Sequence, residues 1–260
     1  MRSYDGIQPR MKGCISANAL KVIAVIAMVI DHLTYVIPIQ QTALYIVMRF
    51  IGRLAAPIMF YFAVEAYHHT HSVNKYIGRL SIFALISYIP YIYFMENTLP
   101  NMSTWYRFNV IYSILIGVLF IHVKHEVKNV VLKVLVMALL VYLSILGDWS
   151  YRGLLMMCVF DFFYRDYEKQ RFAYLLVVFT AGNLITYFFE NPVLISLTGM
   201  PFDTSIYELL LSEWGMIVPI VLLRGYNGKL GKGGRWAKWG FYIFYPAHLL
   251  LLALARNIFV

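Results

Sequence analysis

The stretch Met48–Leu85 reads MRFIGRLAAPIMFYFAVEAYHHTHSVNKYIGRLSIFAL, and it is apolar enough for a lipid bilayer although it carries several charges. The first helix predicted in it would hold Arg49, Arg53 and Glu65. An ionisable side chain at the centre of a membrane helix costs roughly 2.5–3.5 kcal/mol on insertion scales, so such groups need partners, a cavity or a function. The stretch therefore predicts a membrane helix that contributes to a polar site.

The composition of the whole chain is that of a polytopic membrane protein. Of its 260 residues, 61% are hydrophobic and only 13% are charged, whereas soluble domains have about 25% charged residues. We count about nine apolar runs of spanning length, with eight to ten possible. They lie at about residues 15–37, 43–66, 79–95, 108–123, 129–147, 151–164, 172–190, 206–223 and 238–257. The predicted fold is an all-α, polytopic membrane helical bundle, with residues 1–260 forming a single domain.

The net charge of +9 is explained by membrane topology and does not indicate a nucleic-acid partner. Basic residues are concentrated near the first residues and in alternate loops, which is the positive-inside pattern and predicts a cytoplasmic N-terminus. Cys14 and Cys158 lie far apart and have no zinc-ligand spacing. His68, His69 and His71 have no Cys or carboxylate at the usual ligand spacing, so we expect a solvated cytoplasmic loop and no metal site.

The first apolar run contains a candidate general base. Lys21 and His32 are eleven residues apart, so at 100° per residue they lie within roughly 20° of each other on one helix face. A neutral imidazole inside the membrane can accept a proton. Asn18 belongs to the same stripe, whereas Asp31 points about a quarter turn away. The alternative is that Asp31 and His32 only bond neighbouring helices, with Asp31 paired to an arginine of the second run.

The second run carries two arginines on one helix face. Arg49 and Arg53 are one turn apart, and Pro57 follows one turn later, where it should bend the helix or free a carbonyl. Guanidinium groups suit a carboxylate, a phosphate or a developing oxyanion. Glu65 lies about 120° from Arg53 around the helix, so these two are not a pair within it. Structural ion pairs among Asp31, the arginines and Glu65 are the open alternative.

Two further segments are candidates for binding. Residues 224–235, RGYNGKLGKGGR, contain five glycines and four basic residues. Glycine lets backbone N–H groups approach phosphates, so a nucleotide-like cofactor would fit this loop; a merely basic cytoplasmic loop is the alternative. In the last run, Tyr242, Tyr245 and His248 recur every three residues, and Pro246 should interrupt the helix and help line a cavity. His248 could equally be a core residue bonded to a neighbour.

Several motifs together resemble the TraX family of bacterial membrane proteins. The run RFIGRLAAPIMFYFAVEAYHHTHSVNKYIGRLSIFALISYIPY is similar to the family patterns R-x-x-G-R-x-x-x-P-I-x-x-F, E-G-x-x-H-T and K-Y-x-x-R-L-x-x-F-A-L-I-S-x-x-P. LKVIAVIAMVIDHL resembles its opening L-K-x-I-A-x-x-x-M-x-I-D-H, and YNGKLGKGGRWAKWGFYIFYPAHLLLLAL resembles its closing segment. Asn109-Val110 with Gly117, and Asp148-Trp149, match further family positions. Departures from the patterns lie at Ala66, Ser113, Ser150, which replaces a glycine, and Leu230.

The resemblance implies a membrane acyltransferase. The family is named for a conjugation protein that N-acetylates pilin at the inner membrane, with acetyl-CoA as the implied donor. Lys21 to His32 also fits the basic-x10-His pattern of membrane acyltransferases in which the histidine is regarded as catalytic. The implied location is the bacterial inner (cytoplasmic) membrane, with the lipid bilayer, acyl-CoA and a protein or cell-envelope acceptor as partners. A proton-coupled transporter and a non-catalytic partner in conjugation or surface-fibre assembly remain alternatives.

These inferences assign a role to each candidate residue. His32 would take the proton of an amine or hydroxyl acceptor as it attacks the thioester, and Arg53 or Arg49 would stabilise the oxyanion. The candidates for orienting the base or binding the acceptor are Asp31, Glu65 and His248. The candidates for binding acetyl-CoA are Lys21, Arg79, Asn227, Lys229, Lys232, Arg235 and Tyr245. No metal is expected.

Overall fold

The computed structural model describes residues 13–39, 42–181, 212–232 and 234–259, without the side chains of residues 181, 234–238 and 257–259. The helices are α1 (Ala17–Leu33), α2 (Ala43–Gly52), α3 (Ala55–His69), α4 (Val73–Ile86), α5 (Tyr88–Glu96), α6 (Val110–Glu126), α7 (Val130–Ser144), α8 (Ser150–Phe162), α9 (Tyr167–Ala181), a 3-10 helix (Trp214–Ile217), α10 (Val218–Arg224) and α11 (Gly234–Phe259). Within these ranges there is no β-strand, only two isolated bridges. The predicted all-α fold is confirmed.

Within the part of the chain that the structure describes, two helical stretches are long and apolar enough by themselves to cross a membrane. They are Ala43–His69, formed by α2 and α3, and Val73–Glu96, formed by α4 and α5. Val130–Ser144 and Trp214–Arg224 are apolar but shorter. Length and composition do not establish the remaining helices as spans, so the count of nine stays a prediction.

A helix break lies next to Pro57, whereas the helix that contains Pro246 is unbroken. α2 ends at Gly52, and a turn at Arg53 and Leu54 precedes Pro57, which lies in the first turn of α3. A proline there removes a hydrogen bond to the carbonyl four residues earlier, so the predicted bend is confirmed. Pro246 lies inside the continuous helix α11, and the predicted interruption there is wrong. One proline removes a single backbone bond, and α11 has 26 residues whose remaining bonds hold it together.

The packing places apolar side chains on the outside of the described bundle as well as in its core. α1 packs against α2, α3 and α11, while α6 packs against α4, α7 and α8. Large apolar side chains that point outward on five helices include Val22, Ile26, Ile82, Leu85, Val134, Leu135, Leu176 and Leu251. Several arginines and acids lie inside instead. This distribution differs from that of water-soluble folds, which place nearly all charged side chains on the surface.

Candidate functional site

A cavity of about 950 Å³ lies between the helices and reaches towards both ends of the bundle. Lys21 and Arg79 line it where α1 and α4 begin, which we call the basic end. Asp148 and Arg152 line it at the opposite end, where α8 begins. His32 also lines the cavity, about three helical turns along α1 from Lys21. The predicted shared face of Lys21 and His32 is confirmed.

His32 and His248 share a hydrogen bond beside the cavity. His32 Nδ1 lies 2.8 Å from His248 Nε2, and His248 Nδ1 lies 3.0 Å from the carbonyl oxygen of Phe244, one turn earlier in α11. A carbonyl can only accept, so in neutral rings His248 donates through Nδ1 and accepts through Nε2. His32 then donates through Nδ1 and keeps the lone pair on Nε2. Because His248 is buried behind His32, the pair orients a single unprotonated ring nitrogen at the cavity wall.

The two arginines of the second run are paired with carboxylates from other elements. Nη1 of Arg49 lies 2.9 Å from both carboxylate oxygens of Asp31. Nη2 of Arg53 lies 2.8 Å from Oε1 of Glu213, just before the 3-10 helix. The ion-pair alternative is therefore correct for Asp31 with Arg49. Nε of Arg53 is nevertheless buried and has no hydrogen-bond partner among the described residues. A buried donor left unpaired is costly, and the Arg53 side chain lies at the wall of the cavity.

Two glycines allow the close helix contacts that form these ion pairs. A Cβ on Gly52 would lie 2.2 Å from Oδ1 of Asp31, so α1 and α2 could not approach as they do. A Cβ on Gly215 would lie 2.0 Å from the carbonyl oxygen of Phe50, so the 3-10 helix could not rest on α2. The R-x-x-G-R motif thus combines the two arginines with the glycine that lets Asp31, the partner of Arg49, come close.

The basic end of the cavity has cationic groups without anionic partners. Lys21 Nζ lies 5.2 Å and 5.8 Å from the ring centroids of Phe62 and Phe241, and no carboxylate in the described part of the chain forms an ion pair with it. Nε of Arg79 is buried and lacks a hydrogen-bond partner within the same described ranges. Tyr245 lines the cavity as well. This donor set fits a phosphate-bearing ligand, because an anion would satisfy both cationic side chains.

The glycine-rich loop caps α1. Backbone N–H groups of Ala17 and Asn18 donate to the carbonyls of Lys229 and Leu230 at 2.9 and 3.0 Å. Gly231 has φ +84°, a conformation that favours glycine, and a Cβ there would lie 2.3 Å from the N-cap hydroxyl of α1. In these contacts the loop supplies carbonyls to a helix N-terminus. We expected the N–H groups of the loop to surround a phosphate. These contacts instead use the carbonyl groups of the loop.

The side chains of this loop that were predicted to bind the cofactor lie in different surroundings from one another. Lys229 and Lys232 are exposed at the basic end. The side chain of Asn227 accepts from the backbone N–H of Lys229 at 2.9 Å, so its side-chain oxygen stabilises the turn. Leu230 lines the cavity. The side chain of Arg235 lies outside the described residues.

Glu65 is not brought to the cavity. Its carboxylate lies 3.3 Å from the hydroxyl of Tyr61 and 3.2 Å from Nε2 of His69, and it is not among the residues that line the cavity. The structure therefore does not bring Glu65 to the cavity wall, and its role in orienting the base or binding the acceptor stays a prediction. Glu65 lies in α3, whereas Arg49 lies in α2 and Arg53 in the turn after it.

The three neighbouring histidines differ in their surroundings. His68 and His69 end α3, and only His71 of the three lies beyond the helix. His69 and His71 are exposed, as expected for a solvated segment. The expectation is wrong for His68, whose Nε2 lies 2.8 Å from Oδ1 of Asp161, 93 residues away in sequence. Local spacing did not reveal this carboxylate because it comes from α8.

Asp148 lines the cavity although it was not among the site residues predicted from the sequence. Its Oδ1 accepts from the hydroxyl of Tyr91 at 3.0 Å, and no ion pair to it is formed by the described Lys, Arg or His residues. Ser150, two residues after Asp148, has a φ of 44°. Glycine adopts this left-handed conformation without strain, which explains why the family pattern has glycine at this position. The match of Asp148-Trp149 to a family position was the sequence signal that pointed to Asp148. Glu213 gave no such signal, because it stands outside every quoted motif.

Comparison with known proteins agrees with the motifs. A family model described as "TraX protein" matches residues 16–256. A curated relative from Dichelobacter nodosus, described as "Probable fimbrial assembly protein FimC, serogroup H1", is 31% identical over 250 residues, which are 93% of this chain and 96% of the relative. No solved structure gives a significant match. With a family match over nearly its whole length, the chain belongs to the TraX family.

Proposed function

We propose that the chain is a multi-pass protein of the bacterial inner membrane that transfers a small acyl group, acetyl in the first place, from acyl-CoA to an amine or hydroxyl acceptor. The observation that carries the proposal is the His32–His248 pair, which orients one unprotonated nitrogen at the wall of a large cavity. A base held in one tautomer by a second group is the arrangement that activates nucleophiles in acyl transfer. The acceptor is a pilin-like N-terminus or another cell-envelope component.

The membrane location is supported by the surface and by the helix positions. Apolar side chains cover the outer faces of α1, α4, α7, α9 and α11, and such a continuous apolar exterior marks contact with lipid. The helices also coincide with the nine predicted apolar runs, if α2 with α3, α4 with α5, and the 3-10 helix with α10 each count as one pass. The positive-inside pattern supports an orientation in which the basic end faces the cytoplasm, where acyl-CoA is found.

The reaction uses the free nitrogen of His32 and the guanidinium group of Arg53 beside the cavity. His32 Nε2 takes the acceptor's proton while the acceptor forms a bond to the thioester carbonyl carbon, and the Arg53 guanidinium stabilises the oxygen on which negative charge develops. His248 accepts from Nδ1–H and stabilises the imidazolium that forms. As the carbon–sulfur bond breaks, His32 returns the proton to the leaving sulfur, so the base is restored.

The two ends of the cavity suit the two substrates. Lys21 and Arg79 bind phosphate groups of the donor at the basic end, with the exposed Lys229 and Lys232 nearby. Asp148, which has no cationic partner among the described side chains, is suited to an ammonium group of the acceptor at the opposite end. A cavity that reaches towards both ends would let donor and acceptor meet from opposite sides of the membrane.

The test is release of coenzyme A from acetyl-CoA by the purified protein in lipid. We expect release by wild type with cell-envelope extract as the acceptor source, and a fall of about 100-fold or more in His32→Gln, because general-base catalysis contributes about that much. Cys158→Ala is the matched control, since Cys158 does not line the cavity. If wild type releases no thiol with any extract or acyl chain, the acyltransferase proposal is wrong.

A second candidate is a non-catalytic partner in fimbrial assembly. It is favoured by the printed description of the Dichelobacter nodosus relative and by the carboxylate partners of Arg49 and Arg53, which are also what a purely structural ion-pair network would contain. On this hypothesis His32→Gln leaves fimbrial assembly in cells intact as long as the protein folds. Loss of assembly together with loss of thiol release supports the enzyme.

A further inference from the structure

A second cluster of ionisable side chains lies at the basic end, away from the cavity. His68 comes from the last turn of α3, His125 from the last turn of α6, and Asp161 from the last turn of α8. Oδ1 of Asp161 lies 2.8 Å from Nε2 of His68 and 2.9 Å from Nε2 of His125. None of the three residues lines the cavity, so the cluster is separate from the proposed acyl-transfer site.

The geometry of this cluster is convergent. One ligand atom from each residue lies within 4.8 Å of the others, and the carboxylate of Asp161 is fully buried. The other carboxylate oxygen, Oδ2, lies 2.7 Å from Nζ of Lys124. Lys124 therefore holds Oδ2, while Oδ1 is directed at both imidazoles; Nε2 of His125 also lies 3.1 Å from Oδ2. Carboxylates that bind metals are commonly held by such an outer hydrogen bond.

The helix ends around the cluster offset part of the positive charge that Lys124 brings. Three helices end here, and each helix C-terminus carries partial negative charge. The rings of His68 and His125 are stacked on Tyr164 and Tyr67, at centroid distances of 3.9 Å and 6.1 Å, so neither ring is free to rotate away at no cost. The ligand atoms are thus carried by helices and held by packing, as preorganised metal sites are.

We propose that Nε2 of His68, Nε2 of His125 and Oδ1 of Asp161 bind one Zn²⁺ ion. Two imidazoles and a carboxylate are a common zinc ligand set, with water as the fourth ligand in tetrahedral sites. Each imidazole binds through Nε2 with its hydrogen on Nδ1, and metal–ligand bonds of about 2.0–2.2 Å need only small side-chain shifts from the present hydrogen-bonded positions. The ion joins the basic ends of α3, α6 and α8. No acyl-transfer step depends on it.

The experiment is zinc binding by the purified full-length protein, measured as bound metal after loading with ZnCl₂ and dialysis. Wild type is expected to retain one Zn²⁺ per chain, and Co²⁺ in its place should give the visible absorption of a tetrahedral site. His125→Ala should lower zinc affinity more than about tenfold, because loss of even an outer hydrogen bond costs about 10–100-fold. His122→Ala is the matched control: His122 lies one turn earlier in α6 and hydrogen-bonds the hydroxyl of Tyr67, whereas His125 contacts Asp161.

Substitution of the buried Asp161 could prevent folding, so the test relies on the two partly exposed histidines. His68→Gln is the second variant, and it should lose zinc as His125→Ala does. Zinc should also raise the thermal unfolding midpoint of wild type and of His122→Ala, but not of His125→Ala. The proposal is overturned if wild type retains no stoichiometric zinc, or if His122→Ala and His125→Ala lose it equally.

Discussion

The direction of one hydrogen bond decides which nitrogen of the site is free. The carbonyl of Phe244 requires a hydrogen on Nδ1 of His248, which makes Nε2 of His248 an acceptor and Nε2 of His32 the unprotonated nitrogen. His248 was a candidate for orienting the base or binding the acceptor. Its buried position behind His32 makes it a positioning residue in the proposed reaction.

His248→Leu should lower kcat for acyl transfer by roughly 100-fold, because His32 would lose the acceptor that holds its Nδ1–H. The Michaelis constant for acetyl-CoA should change little, since His248 does not line the cavity. His248→Gln should recover part of the loss, because an amide oxygen can accept the same hydrogen bond. The measurement is steady-state coenzyme A release by the three proteins.

A structural role alone gives a different pattern for His248. If Leu and Gln at this position lower kcat equally, or if the Michaelis constant rises with the fall in kcat, His248 does not act through the tautomer of His32.

At the scale of the helices, the contact between α1 and α2 depends on Gly52. A Cβ there would lie 2.2 Å from Oδ1 of Asp31. Gly52→Ala should therefore push Asp31 away from Arg49 and lower the free energy of unfolding by about 1–3 kcal/mol, as overpacking does. The thermal unfolding midpoint in detergent, with and without added acetyl-CoA, is the measurement.

Gly78→Ala is the matched control for this prediction. Gly78 lies within α4 and nothing approaches the position of its Cβ within 4 Å. Alanine there should be neutral or stabilising by up to about 1 kcal/mol, because alanine favours a helix over glycine. Equal unfolding midpoints for the two variants would show that Gly52 is not needed for the close contact.

At the scale of the whole molecule, the proposed orientation puts the basic end in the cytoplasm. Cys14 lies at that end and is exposed, whereas Met102, 90% exposed, lies between α5 and α6 at the opposite end. In a Cys158→Ala background, a membrane-impermeant maleimide should label Cys14 only after cells are permeabilised. With Cys14 also replaced, Met102→Cys should be labelled in intact cells.

The reverse labelling pattern would mean that the chain is inserted with the opposite orientation. Labelling of both positions in intact cells would contradict the membrane arrangement itself, because a bilayer between the two ends blocks the reagent.

Much of this protein follows from its sequence because helices and family motifs depend on local order along the chain. The apolar runs predicted the all-α fold, and eleven-residue spacing placed Lys21 and His32 on one cavity-lining face. The motifs identified the TraX family before any comparison. Periodicity determines which side chains share one helix face, so the shared face of Lys21 and His32 followed from spacing alone.

Partners across helices were decided only by the tertiary structure. His32 meets His248 across 216 residues of sequence, and His68 meets Asp161 across 93. Arg53 pairs with Glu213, which no motif marked, while Glu65 lies outside the cavity. The physical reason is that spacing along the chain does not specify which helices pack side by side. That choice depends on complementary surfaces, such as the contact that Gly52 permits, and on charged groups finding partners in an apolar interior.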